Sequence, residues 1–191
     1  MTKERPYFHP KSLVEDKKSV GRGTRVWAFA HVMKGAVVGD GCNVGDHAFV
    51  ENGARVGNRV TLKNGVALWQ GVTLEDDVFV GPSAAFTNDL FPVSRKAAKL
   101  LPTHVKRGAC IGANATIVCG ITVGEYAFIG AGSTVTREVP DHALFFGNPA
   151  RLRGFLCRCR LKLKFRHSAA VCSSCGLRYK KFRNLVKVSP R

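Results

Sequence analysis

Apolar residues recur along this chain at every sixth position. The series runs Val20, Val26, Val32, Val38, Val44, Val50, Val56, Leu62, Leu68, Leu74, Val80 and Phe86, lapses, and resumes as Val105, Ile111, Ile117, Val123, Ile129 and Val135. Four positions after each comes a second small or β-branched residue, from Thr24, Ala30 and Ala36 to Ala127, Ser133 and Val139; only Leu90 breaks the size rule. A period of six fits neither a helix of about 3.6 residues per turn nor an alternating strand. It fits a strand that bends every sixth residue, with glycine at many corners, as at Gly23, Gly35, Gly41, Gly53, Gly65 and Gly71. Three such sides close a triangular coil, filled by the large residue and its small partner. Eighteen hexads predict six coils, stacked about 4.8 Å apart into a prism of about 29 Å. An ordinary sandwich would not hold one register through twelve consecutive hexads.

The register lapses from Pro92 to His104, a 13-residue insertion. A solenoid accepts an insertion only at a corner, where the loop projects outward. The segment mixes basic and apolar residues. It reads either as a neutral surface loop or as an arm that reaches a neighbouring subunit and closes over a substrate.

Residues 18 apart lie above one another. One outward column therefore reads Met33, Glu51, Trp69, Thr87, and the next Lys34, Asn52, Gln70, Asn88, with Asp89 at the corner below the insertion and His31 ending the preceding side. A Trp beside Glu, Asn and Gln is unusual for a bare solvent face. Such a stack suits a substrate cleft or a buried subunit interface.

Charge divides the chain. Residues 1–150 carry 17 Lys/Arg against 13 Asp/Glu, whereas 151–191 carry 13 Lys/Arg and no acid, of a net +17 overall. The expected organisation is a lead-in over 1–19, the prism over 20–151 with its loop at 92–104, and a basic, Cys-rich module over 152–191. No apolar run approaches the ~18 residues of a membrane span, and the start lacks a secretory stretch. A cytoplasmic location is the expectation.

The hexads resemble the hexapeptide-repeat family, whose coils are left-handed, against the usual crossover preference, and whose members are typically trimers. The expected fold is thus an all-β, left-handed parallel β-helix. The segments GTRVWAFAHV (23–32), GCNVGDHAFVEN (41–52), GVALWQGVTLEDDVFVGPSAAFTND (65–89), KRGACIGANATIVCGITVGEYAFIGAGSTVT (106–136) and VPDHALFFGNPAR (139–151) are similar to nucleotide-sugar N-acetyltransferases of bacterial surface-polysaccharide synthesis. Their acceptors are the 3-amino group of UDP-2-acetamido-3-amino-2,3-dideoxyglucuronate and that of dTDP-linked 3-amino-3,6-dideoxyhexoses. The resemblance implies an acetyl-CoA-dependent enzyme, a nucleotide-sugar substrate, the uronate first, and a homotrimer with sites between subunits.

The chemistry rewards positioning: a neutral amine is aimed at a thioester carbonyl, and the departing thiolate takes the spare proton. The family's FTND motif puts Asn88 in the role of orienting the amine and Asp89 in support. The same Asn-Asp pair would also cap the turn into the insertion. His31 is the histidine candidate near the amine, ahead of His104. Lys34, Glu51, Asn52, Trp69, Gln70 and Arg95 are the substrate-binding candidates. A uronate would need a cation, from Lys34, Arg55 or Arg95. For CoA, small residues that allow close approach are Gly112, Gly130, Ala131 and Gly132, and Lys106, Arg107 and Arg151 suit its phosphates. Cys42 is inward, and Cys110 and Cys119 lie on repeat walls, so none reads as a nucleophile. His31, His47, His104 and His142 lack the convergence that a γ-type carbonic anhydrase metal site needs.

In the tail, Cys157-x-Cys159 and Cys172-x-x-Cys175-Gly176 resemble a zinc ribbon with four thiolates on structural zinc; a reduced, metal-free tail is the other reading. Phe155, Phe165, Tyr179 and Phe182 are too scattered for a nucleic-acid stacking platform. The tail is expected to pack on the prism, to add to the positive field for CoA and nucleotide sugar, or to lie near an acidic membrane face. The competing functions are sugar O-acetylation, which needs a base, and a nucleic-acid-binding scaffold.

Overall fold

The computed structural model describes residues 4–97, 99–183 and 185–189. The hexads fold into a left-handed parallel β-helix of about eight turns. Its first side stacks eight parallel strands, from Tyr7–Phe8 and Arg25–Val26 up to Phe128–Ile129 and Ala143–Gly147. The second side runs from Leu13–Val14 and His31–Val32 through Ala85–Phe86 to Thr134–Val135. The third runs from Val37–Val38 to Thr122–Val123, extended by single bridges at Val20 and Val139. Partners sit 18 residues apart, as in Arg25↔Asn43↔Thr61↔Phe79.

Both residues of each hexad point inward, except Leu90 at the start of the insertion, which is 45% exposed. Val26, Ala30, Val32, Ala36, Leu62 and Val66 are fully buried, and the other equivalents up to Ile129 are buried as well. Each triangular layer is thus a small apolar core, and stacking the layers removes it from water on both faces.

The ladder begins earlier than the hexad series predicts. Tyr7–Phe8 pairs with Arg25–Val26 and Leu13–Val14 with His31–Val32, so residues 7–19 form a coil rather than a lead-in. Phe8 and Val14 do continue the six-residue series, but the positions four after them are Ser12 and Lys18. That polar pair hid the coil. The insertion is also shorter at its end: Thr103–Val105 is a strand paired with Val72–Leu74, so Thr103 and His104 belong to the third side. The neck closes where the Leu101 N–H donates to the Asn88 carbonyl at 2.9 Å.

At the other end, Ala150–Phe155 folds back antiparallel onto Ala143–Gly147, across the expected boundary at 151. The tail follows as a three-stranded antiparallel sheet, Ala169–Val171, Arg178–Phe182 and Leu185–Val188. Phe155, Leu163, Tyr179 and Val186 continue the prism's apolar core into it. Among the described residues, no helix is long and apolar enough to cross a membrane.

Candidate active site

The insertion leaves the corner between the second and third sides. That corner carries both predicted columns, so Met33–Lys34, Glu51–Asn52, Trp69–Gln70 and Thr87–Asn88 are stacked along one edge. Most of these side chains bind the neighbouring coil. Glu51 accepts from the Gln70 N–H at 2.7 Å. Asn52 fills the space that a side chain at Gly35 would need, and Gln70 packs over Gly53. Trp69 is half-buried, and its indole N–H donates to the Phe86 carbonyl at 2.8 Å. Thr87 accepts from the Cys119 N–H at 3.0 Å.

Asp89 accepts from the Phe91 N–H at 3.0 Å, which holds the turn into the insertion. Its carboxylate is therefore a turn cap, and it also borders a cleft of about 320 Å³ shared with Leu90, Phe91, Lys96, Lys99 and Leu101. Asn88, next to it, is half-buried. Among the described residues its side-chain amide has no hydrogen-bond partner, so it keeps a donor and an acceptor for a ligand. Arg95 is exposed on the outer part of the insertion.

His31 lies on the second side, in the column His31, Phe49, Ala67, Ala85. It is thus three rungs, about 14 Å, from the coil that bears Asn88, and the two do not meet within one chain. Its Nε2 is 2.7 Å from Glu15 Oε1, while Glu15 Oε2 accepts from the Lys34 N–H at 2.9 Å. That N–H and then His31 hold the Glu15 carboxyl below the usual carboxylate range. The Lys34 side chain is exposed.

The same bracket recurs at Glu75, which meets His104 Nε2 at 2.9 Å and accepts from the Arg107 N–H at 2.9 Å. Glu15 to His31 spans 16 residues and Glu75 to His104 spans 29, the difference being the 13-residue insertion. Glu15 and Glu75 escaped the sequence reading. The shared offset to the next coil would have revealed them.

The donor candidates occupy the other two edges. Lys106 and Arg107 turn the corner from the third to the first side; Gly112, Gly130, Ala131 and Gly132 turn the corner from the first to the second. A Cβ at Gly112 would lie 2.5 Å from the Ala131 nitrogen, and one at Gly130 would lie 2.7 Å from the Phe146 Cβ. Coil-to-coil packing thus already requires glycine at both, without a ligand. Gly132 differs: φ is +66° and the space beside it is open. Ala131 is exposed, as is Arg151, whose guanidinium bonds back to the Ala150 carbonyl at 2.9 Å. One chain therefore presents acceptor and donor candidates on different edges of a triangular prism.

In the tail, Cys157, Cys159, Cys172 and Cys175 bring their sulfurs within 4.8 Å of one another. The pairs Cys157–Cys175 and Cys159–Cys172 stand at 3.3 and 3.4 Å. Tetrahedral zinc with bonds of about 2.3 Å separates its sulfurs by about 3.8 Å, so four thiolates here fit a structural, closed site. The N–H groups of Cys175 and Ser174 lower the Cys172 thiol to about 6, which favours the thiolate that zinc needs. Burial pushes Cys157 up to about 12, and the Tyr179 hydroxyl lies 3.1 Å from its sulfur.

The bacterial transferase hexapeptide model (six repeats) matches residues 17–52 and 102–137, and the hexapeptide repeat of succinyl-transferase matches 35–70. The dTDP-3-amino-3,6-dideoxy-α-D-galactopyranose 3-N-acetyltransferase of Aneurinibacillus thermoaerophilus is 54% identical over 175 residues, covering 91% of this chain and 90% of its own. Among solved structures, the UDP-N-acetylglucosamine acyltransferase of Bacteroides fragilis aligns with a TM-score of 0.64 at 18% identity, over 80% of this chain and 62% of that one. A mutant GDP-perosamine N-acetyltransferase of Caulobacter crescentus, in complex with CoA and GDP-perosamine, aligns with a TM-score of 0.50 at 22% identity, over 79% of this chain and 57% of that one. The chain spans only about three-fifths of these two structures, and their likeness is one of fold. The near full-length match to the first relative decides the family: this chain belongs to the bacterial hexapeptide-repeat transferases, as one of their acetyl-CoA-dependent N-acetyltransferases.

Proposed function

We propose that this enzyme transfers the acetyl group of acetyl-CoA to the 3-amino group of a dTDP-linked 3-amino-3,6-dideoxyhexose, in a homotrimer whose sites lie between subunits. The observation that carries this reading is the corner at Asn88, whose side-chain amide has no partner among the described residues and whose neighbour Asp89 borders the cleft at the insertion. The acceptor class follows the 54% identical relative, whose substrate is such a sugar.

The Asn88 amide oxygen accepts from the sugar amine and keeps its lone pair on the thioester carbonyl. Nitrogen attacks carbon, the tetrahedral intermediate collapses, and the CoA thiolate leaves with the proton that the nitrogen sheds. Because an amine is already nucleophilic, no strong base is required. Lys96 and Lys99 beside the cleft suit the nucleotide diphosphate. The split between edges supports the trimer, since Lys106, Arg107 and Gly132 lie on edges away from Asn88 and a second copy would bring them to it. Zinc, held by Cys157, Cys159, Cys172 and Cys175, serves the tail's fold and takes no part in acetyl transfer.

The uronate acceptor stands as the competing substrate. Of its three candidate cations, Arg55 lies on the third side, Arg95 on the exposed insertion, and Lys34 three coils from Asn88 along the same edge, so none of them adjoins Asn88 within one chain. Release of free CoA thiol from acetyl-CoA is measured against the dTDP-3-amino sugars, the UDP-3-amino uronate, and the matching 3-hydroxy sugars. Fastest release with a dTDP-3-amino sugar supports the proposal. A preference for the uronate would replace the acceptor. Turnover confined to the hydroxyl sugars would make this an O-acetyltransferase.

A further inference from the structure

The tail sheet has two unlike faces. Strand alternation turns Ala170, Tyr179 and Val186 inward, where all are buried. Lys181 shares that side and lies 5.4 Å from the Phe155 ring centroid. The outer face holds Val171, Arg178, Lys180, Phe182, Leu185 and Lys187, all exposed. Phe182 is 72% exposed and Leu185 56%, and they are paired across the last hairpin. Large apolar side chains so open to water mark a contact surface when they cluster.

The charges on this face have no partners of opposite sign in the tail, because residues 151–191 contain no Asp or Glu. Lys180 stands directly opposite Lys187 in the antiparallel register. Like charges placed so destabilise a sheet, and the arrangement gains only when an anion lies across both. Beside them, Lys180, Lys187, Phe182 and Leu185 border a cleft of about 480 Å³ with His167 and Ala169.

We propose that this outer face docks the enzyme on a bilayer rich in anionic lipid, with Phe182 and Leu185 entering the interface while Lys180, Lys187 and Arg178 meet the headgroups. Charge complementarity selects an anionic surface. The aliphatic Leu185 and Val171 select a membrane over nucleic acid, since they offer a base neither a stacking plane nor a hydrogen bond. This inference concerns where the enzyme sits and is independent of which sugar it acetylates.

The full chain, purified without chelator, is sedimented with phosphatidylcholine vesicles that do or do not contain phosphatidylglycerol. Binding is expected only with the anionic lipid. Lys180→Gln combined with Lys187→Gln is expected to weaken it about 30-fold, while Lys180→Arg with Lys187→Arg retains it. Phe182→Ser with Leu185→Ser is expected to make the residual binding fully reversible by salt. Acetyl transfer and oligomeric state stay unchanged in all three double variants. Equal binding to neutral vesicles, or no binding, overturns the proposal. So does tighter capture of duplex DNA or RNA than of anionic vesicles, and so does a shift in oligomeric state in the Phe182/Leu185 variant, which would make the face a contact between copies.

Discussion

The indole N–H of Trp69 donates to the backbone carbonyl of Phe86, one coil away, at 2.8 Å. Phe86 is followed directly by Thr87 and Asn88, so the indole fixes the backbone that presents the Asn88 amide. Phe49 packs on the other side of Trp69, with ring centroids 5.5 Å apart, and His31 on Phe49 at 5.4 Å. The tryptophan is thus a floor beneath the corner that carries Asn88. Trp69→Phe keeps an aromatic ring but loses the indole N–H and part of its bulk, and the lost hydrogen bond alone costs about 1 kcal/mol. We expect a fall in Tm of about 2–4 °C and a several-fold loss in kcat/KM for the sugar, with KM for acetyl-CoA unchanged.

Asn88 and His31 lie about three rungs apart along one edge of the prism, and only Asn88 adjoins the insertion. Removing a group that orients the nucleophile or steadies the developing charge costs about 10²-fold or more in kcat. Asn88→Ala is expected to lose that much, and His31→Ala less than about tenfold. Steady-state kinetics on the preferred amino sugar measures both. The reverse ranking would assign His31 the role of general base, as a hydroxyl acceptor demands.

The legible part of the fold was the inside of the prism. Val26 and Ala30, or Ile111 and Ala115, face inward in every layer, so the six-residue period appears directly in the sequence. Stacking by 18 also gathered Glu51, Trp69, Gln70 and Asn88 on one edge. What those side chains do there was not legible, because coil-to-coil hydrogen bonds depend on geometry and not on residue type. Glu51 and Trp69 have the polarity of ligand-binding groups yet spend it on the Gln70 N–H and the Phe86 carbonyl. The first coil was hidden for a different reason, since Ser12 and Lys18 break the partner pattern although Phe8 and Val14 keep the main one.

Gly112 and Gly132 separate packing from binding. A methyl at Gly112 would meet backbone atoms of the next coil at 2.5–2.8 Å, and backbone inside a stacked ladder cannot give way. Gly112→Ala is expected to cost up to about 3 kcal/mol, as overpacking does. Gly132→Ala meets open space and incurs only its left-handed φ of +66°, about 1 kcal/mol. If CoA runs along this edge, the added methyl at Gly132 raises KM for acetyl-CoA while Tm falls by only about 2–4 °C. Thermal melts and acetyl-CoA titrations of the two variants distinguish these effects.

His142 joins the prism to the tail. Its ring stacks on Tyr126 at 5.4 Å, meets Tyr179 edge-on at 5.1 Å, and has Nδ1 3.1 Å from the Leu156 carbonyl. Burial lowers its pKa and Arg158 and Arg160 add to the shift, against the Leu156 bond and Asp141. The unfolded histidine titrates near 6.5 and so takes up its proton before the folded one. Stability from this site is therefore full above about pH 6.5 and falls as pH drops below it toward the lower folded pKa. His142→Gln should flatten the dependence of Tm on pH below 6.5 while leaving the profile above it unchanged.

The Cys-rich knuckle is latched to the prism by Arg160, which donates to the Gly108 carbonyl at 2.7 Å and to the Tyr126 carbonyl at 3.1 Å. Gly108 directly follows Lys106 and Arg107, so the tail braces the corner that carries these two cations. Zinc in such sites contributes on the order of 10 kcal/mol to folding. The tail adds only a few buried apolar side chains, chiefly Phe155, Leu163, Tyr179 and Val186, to one end of the prism's core, so its fold needs such a staple. Chelation should release about one zinc per chain and expose residues beyond Cys157 to protease, while the hexad prism stays folded. Arg160→Ala should keep the zinc yet loosen the corner, raising KM for acetyl-CoA. Metal analysis, limited proteolysis and kinetics on the same preparations test this coupling. A tail that stays protease-resistant after complete chelation would mean that Tyr179 and its neighbours hold the module without metal.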